Sequence, residues 1–193
     1  MRSVVLPDIL AQIRPRLRPP GPWGPGRGGE RQAAVLVPFL SVGEAPALLF
    51  IRRADGPGVH AGQVAFPGGN RDPGDDGPVA TALREAGEEV GLARGEVEVL
   101  GLLPDVNTRS TGFRITGVVA RLAAGAAPRP DGIEVAETFT VPLTKLRDPA
   151  IYREEINTVN GITRPIPYFH VQPHLIWGVT GRIVRQLLDL LEP

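Results

Sequence analysis

Three glutamates in the middle of the chain have the type and spacing to bind a divalent cation. Glu85, Glu88 and Glu89 lie three and four residues apart in the segment PVATALREAGEEVGL, so they share one face if the segment is helical. Mg²⁺ takes one or two carboxylates, keeps several waters and completes its coordination with phosphate oxygens of a substrate. A solvated acidic helix surface has the same spacing. The glutamates alone therefore leave both interpretations open.

The segment before these glutamates favours the metal. Phe66-Pro67-Gly68-Gly69 ends an apolar run, and paired glycines let a backbone turn sharply and approach a ligand closely. An acidic loop with Asp75 and Asp76 follows. The order of strand, glycine turn, acidic loop and carboxylate helix predicts a site for a metal that also binds phosphate.

Residues 69–92 resemble the Nudix box, G-x5-E-x7-R-E-U-x-E-E-x-G-U with U apolar. The matching positions are Gly69, Arg84, Glu85, Ala86, Glu88, Glu89, Gly91 and Leu92. Two features depart from the pattern: the loop is one residue longer, and its acid is Asp75 or Asp76 where the pattern has Glu. The resemblance implies Mg²⁺ or Mn²⁺ as cofactor, with these ligands: Glu85, Glu88, Glu89 and the carbonyl of Gly69. It implies that Arg84 orients a glutamate by ion pairing.

A second motif lies just upstream and resembles the signature of Nudix enzymes that hydrolyse coenzyme A, L-L-T-x-R-S-A-x3-R-x3-G-x3-F-P-G-G. The matching positions are Leu48, Leu49, Arg52, Ala54, Gly62 and Phe66-Pro67-Gly68-Gly69. Phe50 replaces the threonine, Arg53 the serine and Gly58 the second arginine. The resemblance implies hydrolysis of coenzyme A to adenosine 3′,5′-bisphosphate and 4′-phosphopantetheine.

The same resemblance suggests residues that touch the substrate. Arg52 and Arg53 are candidates for the 3′-phosphate, because guanidinium groups pair bidentately with phosphate. Gln63, Phe66 and Gly68 lie at the end of the upstream motif, next to the start of the Nudix box, and are candidates for lining the pocket.

A general base must also reach the attacking water, and the residues leave its identity open. Glu88 and Glu89 of the box are candidates for this role and for catalysis together with Arg84. The adjacent Glu154 and Glu155 are further candidates, although they are equally typical of a solvated strand edge.

Two other functions remain open. Gly58 favours a Nudix pyrophosphatase for another nucleoside diphosphate derivative, such as ADP-ribose, or for a nucleoside triphosphate. A non-catalytic nucleotide-binding sensor could have the same fold, although the intact REAGEEVGL segment argues against it.

The whole chain has the composition of one folded domain. It has 193 residues, of which 42% are hydrophobic and 22% charged, a balance typical of globular proteins. Its 21 acidic and 21 basic side chains give zero net charge, which disfavours a nucleic-acid binder. The absence of cysteine excludes thiol catalysis. No apolar run is long enough to span a membrane, and the first residues lack a signal-peptide pattern, so we expect a cytoplasmic protein. The expected partner is a small-molecule substrate, and a homodimer remains open.

Hydrophobic patterning predicts the elements that position these residues. AAVLVPFL and ALLFIRR indicate two strands joined by a turn, and PVATALREAGEEVGL and LIWGVTGRIVRQLLDLL indicate amphipathic helices. Together with the resemblance, these patterns predict an α/β (α+β) fold with a Nudix-type mixed β-sheet sandwiched between helices. Residues 1–30 are predicted to form an N-terminal helix and a Pro/Gly-rich loop, and residues 31–193 a single Nudix domain.

Overall fold

A computed structural model describes residues 5–25, 30–57, 60–108, 112–159 and 162–192. The elements in chain order are α1 (Leu6–Ile13), β1 (Arg31–Val42), β2 (Ala45–Arg53), β3 (Val64–Ala65), β4 (Gly68–Asn70), α2 (Pro78–Val90), β5 (Val97–Leu102), β6 (Val106–Asn107), β7 (Phe113–Leu122), β8 (Val135–Pro142), α3 (Leu143–Leu146), β9 (Tyr152–Val159), β10 (Ile162–Val171), β11 (His174–Ile176) and α4 (Gly178–Asp189). Short 3₁₀ turns lie at Arg14–Arg16, Arg94–Glu96 and Pro149–Ile151.

The centre of the molecule is a mixed sheet. Its main order is β3–β2–β1–β7–β5, while β4 pairs with β1, β6 with β7 and β8 with β2. Strands β1 and β7 run parallel and the other pairs are antiparallel. Strands β11, β10 and β9 form a second, antiparallel sheet.

Helices cover both faces of the central sheet, which confirms the predicted sandwich. Leu49 and Ile51 of β2 pack in the cluster that contains Ala86 of α2, whereas Leu48 and Phe50 pack in the cluster formed with α1 and α4. Because both faces of β2 are buried, its sequence is a continuous apolar run rather than an alternating one.

The last helix starts later than its sequence pattern predicts. His174–Ile176 form β11, which pairs with residues 169–171 of β10, so the first residues of LIWGVTGRIVRQLLDLL are not helical. Gly178 has φ 63°, a backbone region that glycine enters without steric cost. This glycine lets the chain leave the strand and begin α4.

The N-terminal helix is part of the main core. Leu6, Ile9 and Ile13 are buried in the same cluster as α4, and the Gln12 side-chain amide donates to the Leu191 carbonyl at 3.0 Å. The division of the chain at residue 30 stays a prediction. Helix α1, which lies before that position, packs on the rest of the domain. No helix in the described part of the chain could cross a lipid bilayer.

Candidate active site

The predicted glycine turn is a bend at Pro67 followed by strand β4 (Gly68–Asn70), and it brings backbone directly against the carboxylate helix. Strand β4 pairs with β1 so that Gly69 faces Ala34. A Cβ atom at Gly69 would lie 2.4 Å from the Glu85 carboxylate, and one at Gly68 (φ 155°) would lie 2.3 Å from the Ala34 carbonyl oxygen. Only glycine at these two positions allows the turn to lie between the sheet and the helix.

Glu89 is the most buried of the three helix glutamates, with 3% of its surface exposed. Its Oε2 accepts a hydrogen bond from the Gly68 amide at 2.8 Å, and its Oε1 lies 3.8 Å from the Arg53 guanidinium. Burial raises the pKa of Glu89 to about 7, against the lowering effects of the Gly68 amide and Arg53. A cation bound at this carboxylate would favour its ionised form.

Arg84 joins the loop to the other two glutamates. Its Nη1 lies 2.9 Å from Glu85 Oε1 and 3.1 Å from Glu88 Oε2. Its Nη2 donates to the Asn70 carbonyl at 2.9 Å and to Asp75 Oδ2 at 3.1 Å. The hydrogen bond with Asp75 is the main reason why the pKa of Arg84 is raised. This geometry fits the orienting role that the family resemblance implies for Arg84.

Asp75, rather than Asp76, is the loop acid that holds this arginine. It is buried and accepts from the Thr81 hydroxyl at 2.7 Å and from the Asp72 amide at 2.9 Å. Burial alone would raise the pKa of Asp75, but the hydrogen bonds from Arg84, Asp72 and Thr81 outweigh it, and the pKa lies below 3.8. Asp76 is exposed. The loop is thus tied to α2 through a buried ionised carboxylate.

The helix carboxylates face a cleft of about 850 Å³. The loop after β2, the glycine turn, α2 and the segment before β8 surround it. The sequence interpretation did not include several residues of its lining: Asp55, Asn70, Asp72, Phe113, Ile133 and Glu134. A cleft of this size can hold a nucleotide-sized ligand.

Glu134 is the most informative of these additions. Its carboxylate lies 3.6 Å from the Arg53 guanidinium, and its charge contributes to the raised pKa values of Glu85 and Glu89. Asp131 accepts hydrogen bonds from the backbone amides of residues 133–135, which fixes this segment. An Asp-Gly turn before a strand signals the loop in the sequence, but nothing local indicates that it reaches the cleft.

The two candidate arginines point in opposite directions. Arg53 lines the cleft, whereas Arg52 lies 3.3 Å from Asp55 and 3.5 Å from Glu137 of β8. Successive side chains of a strand face opposite sides of the sheet, so the structure separates residues that are adjacent in sequence. Gly58, the departure from the upstream motif, lies outside the described residues.

The remaining candidates are scattered. Gln63 and Phe66 line a second cavity next to the cleft, and Phe66 is almost fully buried, with its ring 4.7 Å from that of Phe50. Glu154 and Glu155 lie on β9 of the second sheet, where the Tyr152 hydroxyl donates to Glu154. Neither glutamate is among the described residues that line the cleft.

The donor set suits a hard divalent cation. Within the described ranges, no group of three or more acidic or histidine side chains is arranged as a preformed metal cage. Mg²⁺ does not require one, because it takes few carboxylates and uses phosphate and water for its other positions. Glu85 lies beside the Gly69 backbone and Glu89 beside the Gly68 amide, both at the wall of an open cleft. These groups can hold the cation while the cleft admits the phosphates.

Comparison with known proteins identifies the family. The family description "NUDIX domain" matches residues 30–159. A protein of Photorhabdus laumondii named uncharacterized Nudix hydrolase NudL is 39% identical over 98% of this chain and 99% of its own length. A protein of the same name from Yersinia pestis is 40% identical over 81% of this chain and 78% of its own.

Solved structures agree with the sequence relatives. RenU, a Nudix hydrolase from M. smegmatis, shares 28% identity with a TM-score of 0.51 and covers 63% of this chain and 76% of its own. A MutT Nudix hydrolase from Burkholderia pseudomallei has the same fold, with 20% identity, a TM-score of 0.50 and coverage of 82% and 98%. The chain therefore belongs to the Nudix hydrolase family and is a pyrophosphatase.

Proposed function

We propose that this pyrophosphatase hydrolyses coenzyme A to adenosine 3′,5′-bisphosphate and 4′-phosphopantetheine, with Mg²⁺ or Mn²⁺ as cofactor. The observation that carries the proposal is the position of Arg53. Arg53 stands where the coenzyme A-type motif has serine, next to the matching Arg52, and its guanidinium lies 3.8 Å from Glu89 on the wall of the cleft. A cation for a substrate phosphate therefore lies beside the carboxylates that would hold the metal.

Charge neutralisation is the first requirement of the reaction, because a diphosphate repels a nucleophile. Glu85, Glu89 and the Gly69 carbonyl would hold the divalent ion, with Glu88 as a further ligand. When bound, that ion supplies charge neutralisation and lowers the pKa of coordinated water. Arg84 keeps the glutamates oriented through its contacts with Glu85 and Glu88.

Glu134 is our candidate for the general base. It lines the cleft opposite α2, and its carboxylate is largely exposed to the space that the substrate would enter. Glu88 also lines the cleft but is paired with Arg84 at 3.1 Å, and Glu89 is occupied by the Gly68 amide. Glu134 can take a proton from water without giving up a hydrogen bond that holds the site together.

Product analysis tests the proposal. The purified protein is incubated with coenzyme A, ADP-ribose or ATP, each with Mg²⁺, Mn²⁺ or EDTA, and products are separated by chromatography. We expect adenosine 3′,5′-bisphosphate from coenzyme A, no product with EDTA, and loss of turnover in Glu89→Gln. Glu154→Gln is the matched control and should retain turnover. Faster hydrolysis of ADP-ribose or ATP would refute the coenzyme A assignment.

One observation supports a different substrate. Gly58 stands where the upstream motif has its second arginine, so one contact with coenzyme A could be missing. The alternative is another nucleoside diphosphate derivative, and the substrate panel distinguishes it. The absence of turnover with every substrate would favour a nucleotide-binding sensor. A homodimer and a cytoplasmic location stay predictions.

A further inference from the structure

A second cavity opens beside the carboxylate cleft. Its volume is about 450 Å³, and it lies between strands β1, β3 and β7 on one side and the first turn of α4 on the other. The two spaces share six described lining residues: Arg53, His60, Gly68, Gly69, Asn70 and Phe113. A substrate whose diphosphate lies at the glycine turn could therefore extend into both.

The chemistry of this cavity differs from that of the cleft. Its walls include Val35, Ile115 and Val179. Among its described lining residues none is acidic, and the two basic ones, Arg53 and His60, also line the cleft. Burying a charged or densely hydroxylated group against such walls costs free energy unless each polar atom finds a partner. The cavity therefore suits an uncharged chain with few polar atoms.

The wall formed by α4 is fixed by contacts with strands β3 and β10. The Thr180 hydroxyl donates to the Val64 carbonyl at 3.2 Å, and a Cβ atom at Gly181 would lie 2.6 Å from the Pro167 carbonyl oxygen. The ring of Trp177, which also lines the cavity, stacks on Tyr168 with centroids 5.9 Å apart. These contacts hold the first turn of α4 against the sheet, so the cavity exists without a ligand.

We propose that this cavity binds the arm of the substrate on the far side of the diphosphate from the nucleoside, and that this arm is an uncharged, mainly apolar chain. The inference rests on the proposed function and extends it. In coenzyme A the arm is pantetheine, an uncharged chain of alkyl segments that carries two amides, one hydroxyl and a terminal thiol. A charged arm, such as a second nucleotide, is disfavoured, because the two basic residues of the lining, Arg53 and His60, are those shared with the cleft and the walls around Val35, Ile115 and Val179 offer a charge no partner.

Filling the cavity tests the inference. Val179 is half-buried on the cavity side of α4, and Val179→Trp should raise KM for coenzyme A by about tenfold or more while kcat changes little, as expected for loss of uniform binding. Val179→Glu is a second variant. An acidic side chain is favourable in the first turn of a helix, so the helix should still form, while the carboxylate places a charge in the cavity. Val42→Trp, at an exposed strand end, is the control and should keep the wild-type KM. A KM within about twofold of wild type in both Val179 variants would overturn the inference.

A binding measurement separates failure of the inference from failure of the proposed function. Trp23 and Trp177 are the two tryptophans of the chain, so Trp23→Phe leaves Trp177 as the fluorescent reporter at the cavity. Pantetheine, which has no phosphate, should change this fluorescence saturably, and Val179→Glu, which adds no tryptophan, should abolish the pantetheine-dependent change. If coenzyme A is not hydrolysed but pantetheine binds in this way, the proposed function fails and the cavity assignment stands. If coenzyme A is hydrolysed and pantetheine does not bind, the cavity assignment fails alone.

Discussion

Replacement of Asp75 by asparagine tests how the acidic loop supports the active site. The wild-type carboxylate accepts hydrogen bonds from the Thr81 hydroxyl, the Asp72 amide and the Arg84 guanidinium. All three of these donors reach Oδ2, whereas Oδ1 accepts from Arg84 Nε at 3.5 Å. The amide oxygen of asparagine can take the place of Oδ2, but the side chain is uncharged and its NH₂ group, in place of Oδ1, cannot accept from Arg84 Nε. The variant therefore removes the charge from the buried contact with Arg84 and keeps the neutral hydrogen bonds.

The expected loss of stability follows from that single contact. Hydrogen bonds to charged groups contribute about 1.5–3 kcal/mol, so we expect Asp75→Asn to lower the free energy of unfolding by about 2–3 kcal/mol at pH 7. The pKa of Asp75 lies below 3.8 in the folded chain. A depressed carboxyl pKa gives stability that is present above the unfolded value and is lost as pH falls through the folded pKa. The difference between wild type and variant should therefore shrink below about pH 4.

Activity should fall as well, because Arg84 also holds Glu85 and Glu88. Loss of an outer partner of a metal site typically costs about 10–100-fold in activity or metal affinity, and we expect kcat to fall within that range. Urea denaturation at pH 7 and pH 3.5 and steady-state kinetics measure the two effects. Asp76→Asn is the matched control, since Asp76 is the exposed neighbour. Equal effects of the two variants would refute the assignment of Asp75.

Three further variants test separate parts of the site. Gly69→Ala should retain its circular dichroism spectrum but lose about 100-fold or more in kcat, because its Cβ displaces the Glu85 carboxylate. Full activity would contradict the close approach of Gly69 to Glu85. Glu134→Gln should lower kcat by about 100-fold with unchanged Mn²⁺ affinity measured by calorimetry; a normal kcat would remove Glu134 as the base. Arg53→Ala should reduce kcat/KM for coenzyme A by about tenfold or more, as expected for loss of a charged contact, and Arg52→Ala should reduce it much less. The reverse order would show that Arg52, which is paired with Asp55 in this structure, is the arginine that contacts the phosphate.

Local sequence was sufficient to predict the carboxylate helix, whereas Gly68 and Gly69, predicted as a turn, form strand β4 after a bend at Pro67. The spacing of Glu85, Glu88 and Glu89 fixes their common helix face regardless of the rest of the fold. The close approach of these glycines also has a local signal, because a pair of glycines after a short apolar strand lets the backbone pass close to its neighbours. The Nudix box covers these same residues, so the family resemblance and the helix-spacing argument lead to the same site.

Residues that enter the site from elsewhere in the chain could not be predicted in this way. Glu134 reaches the cleft from the segment before β8, and its role depends on the pairing of β8 with β2. The apolar cavity joins Val35 of β1 to Val179 of α4, which are far apart in sequence. The opposite orientations of Arg52 and Arg53 did have a signal, since strand alternation separates adjacent residues.

Binding of Mn²⁺ to the purified chain tests the carboxylate site most directly. Electron paramagnetic resonance titration measures free Mn²⁺ for the wild type, Glu85→Gln, Glu89→Gln and the distant control Glu154→Gln. We expect saturable binding in the wild type and the control, and an affinity weakened by about tenfold or more in Glu85→Gln and Glu89→Gln. Wild-type affinity in both of these variants would contradict the assignment of Glu85 and Glu89 as the metal ligands.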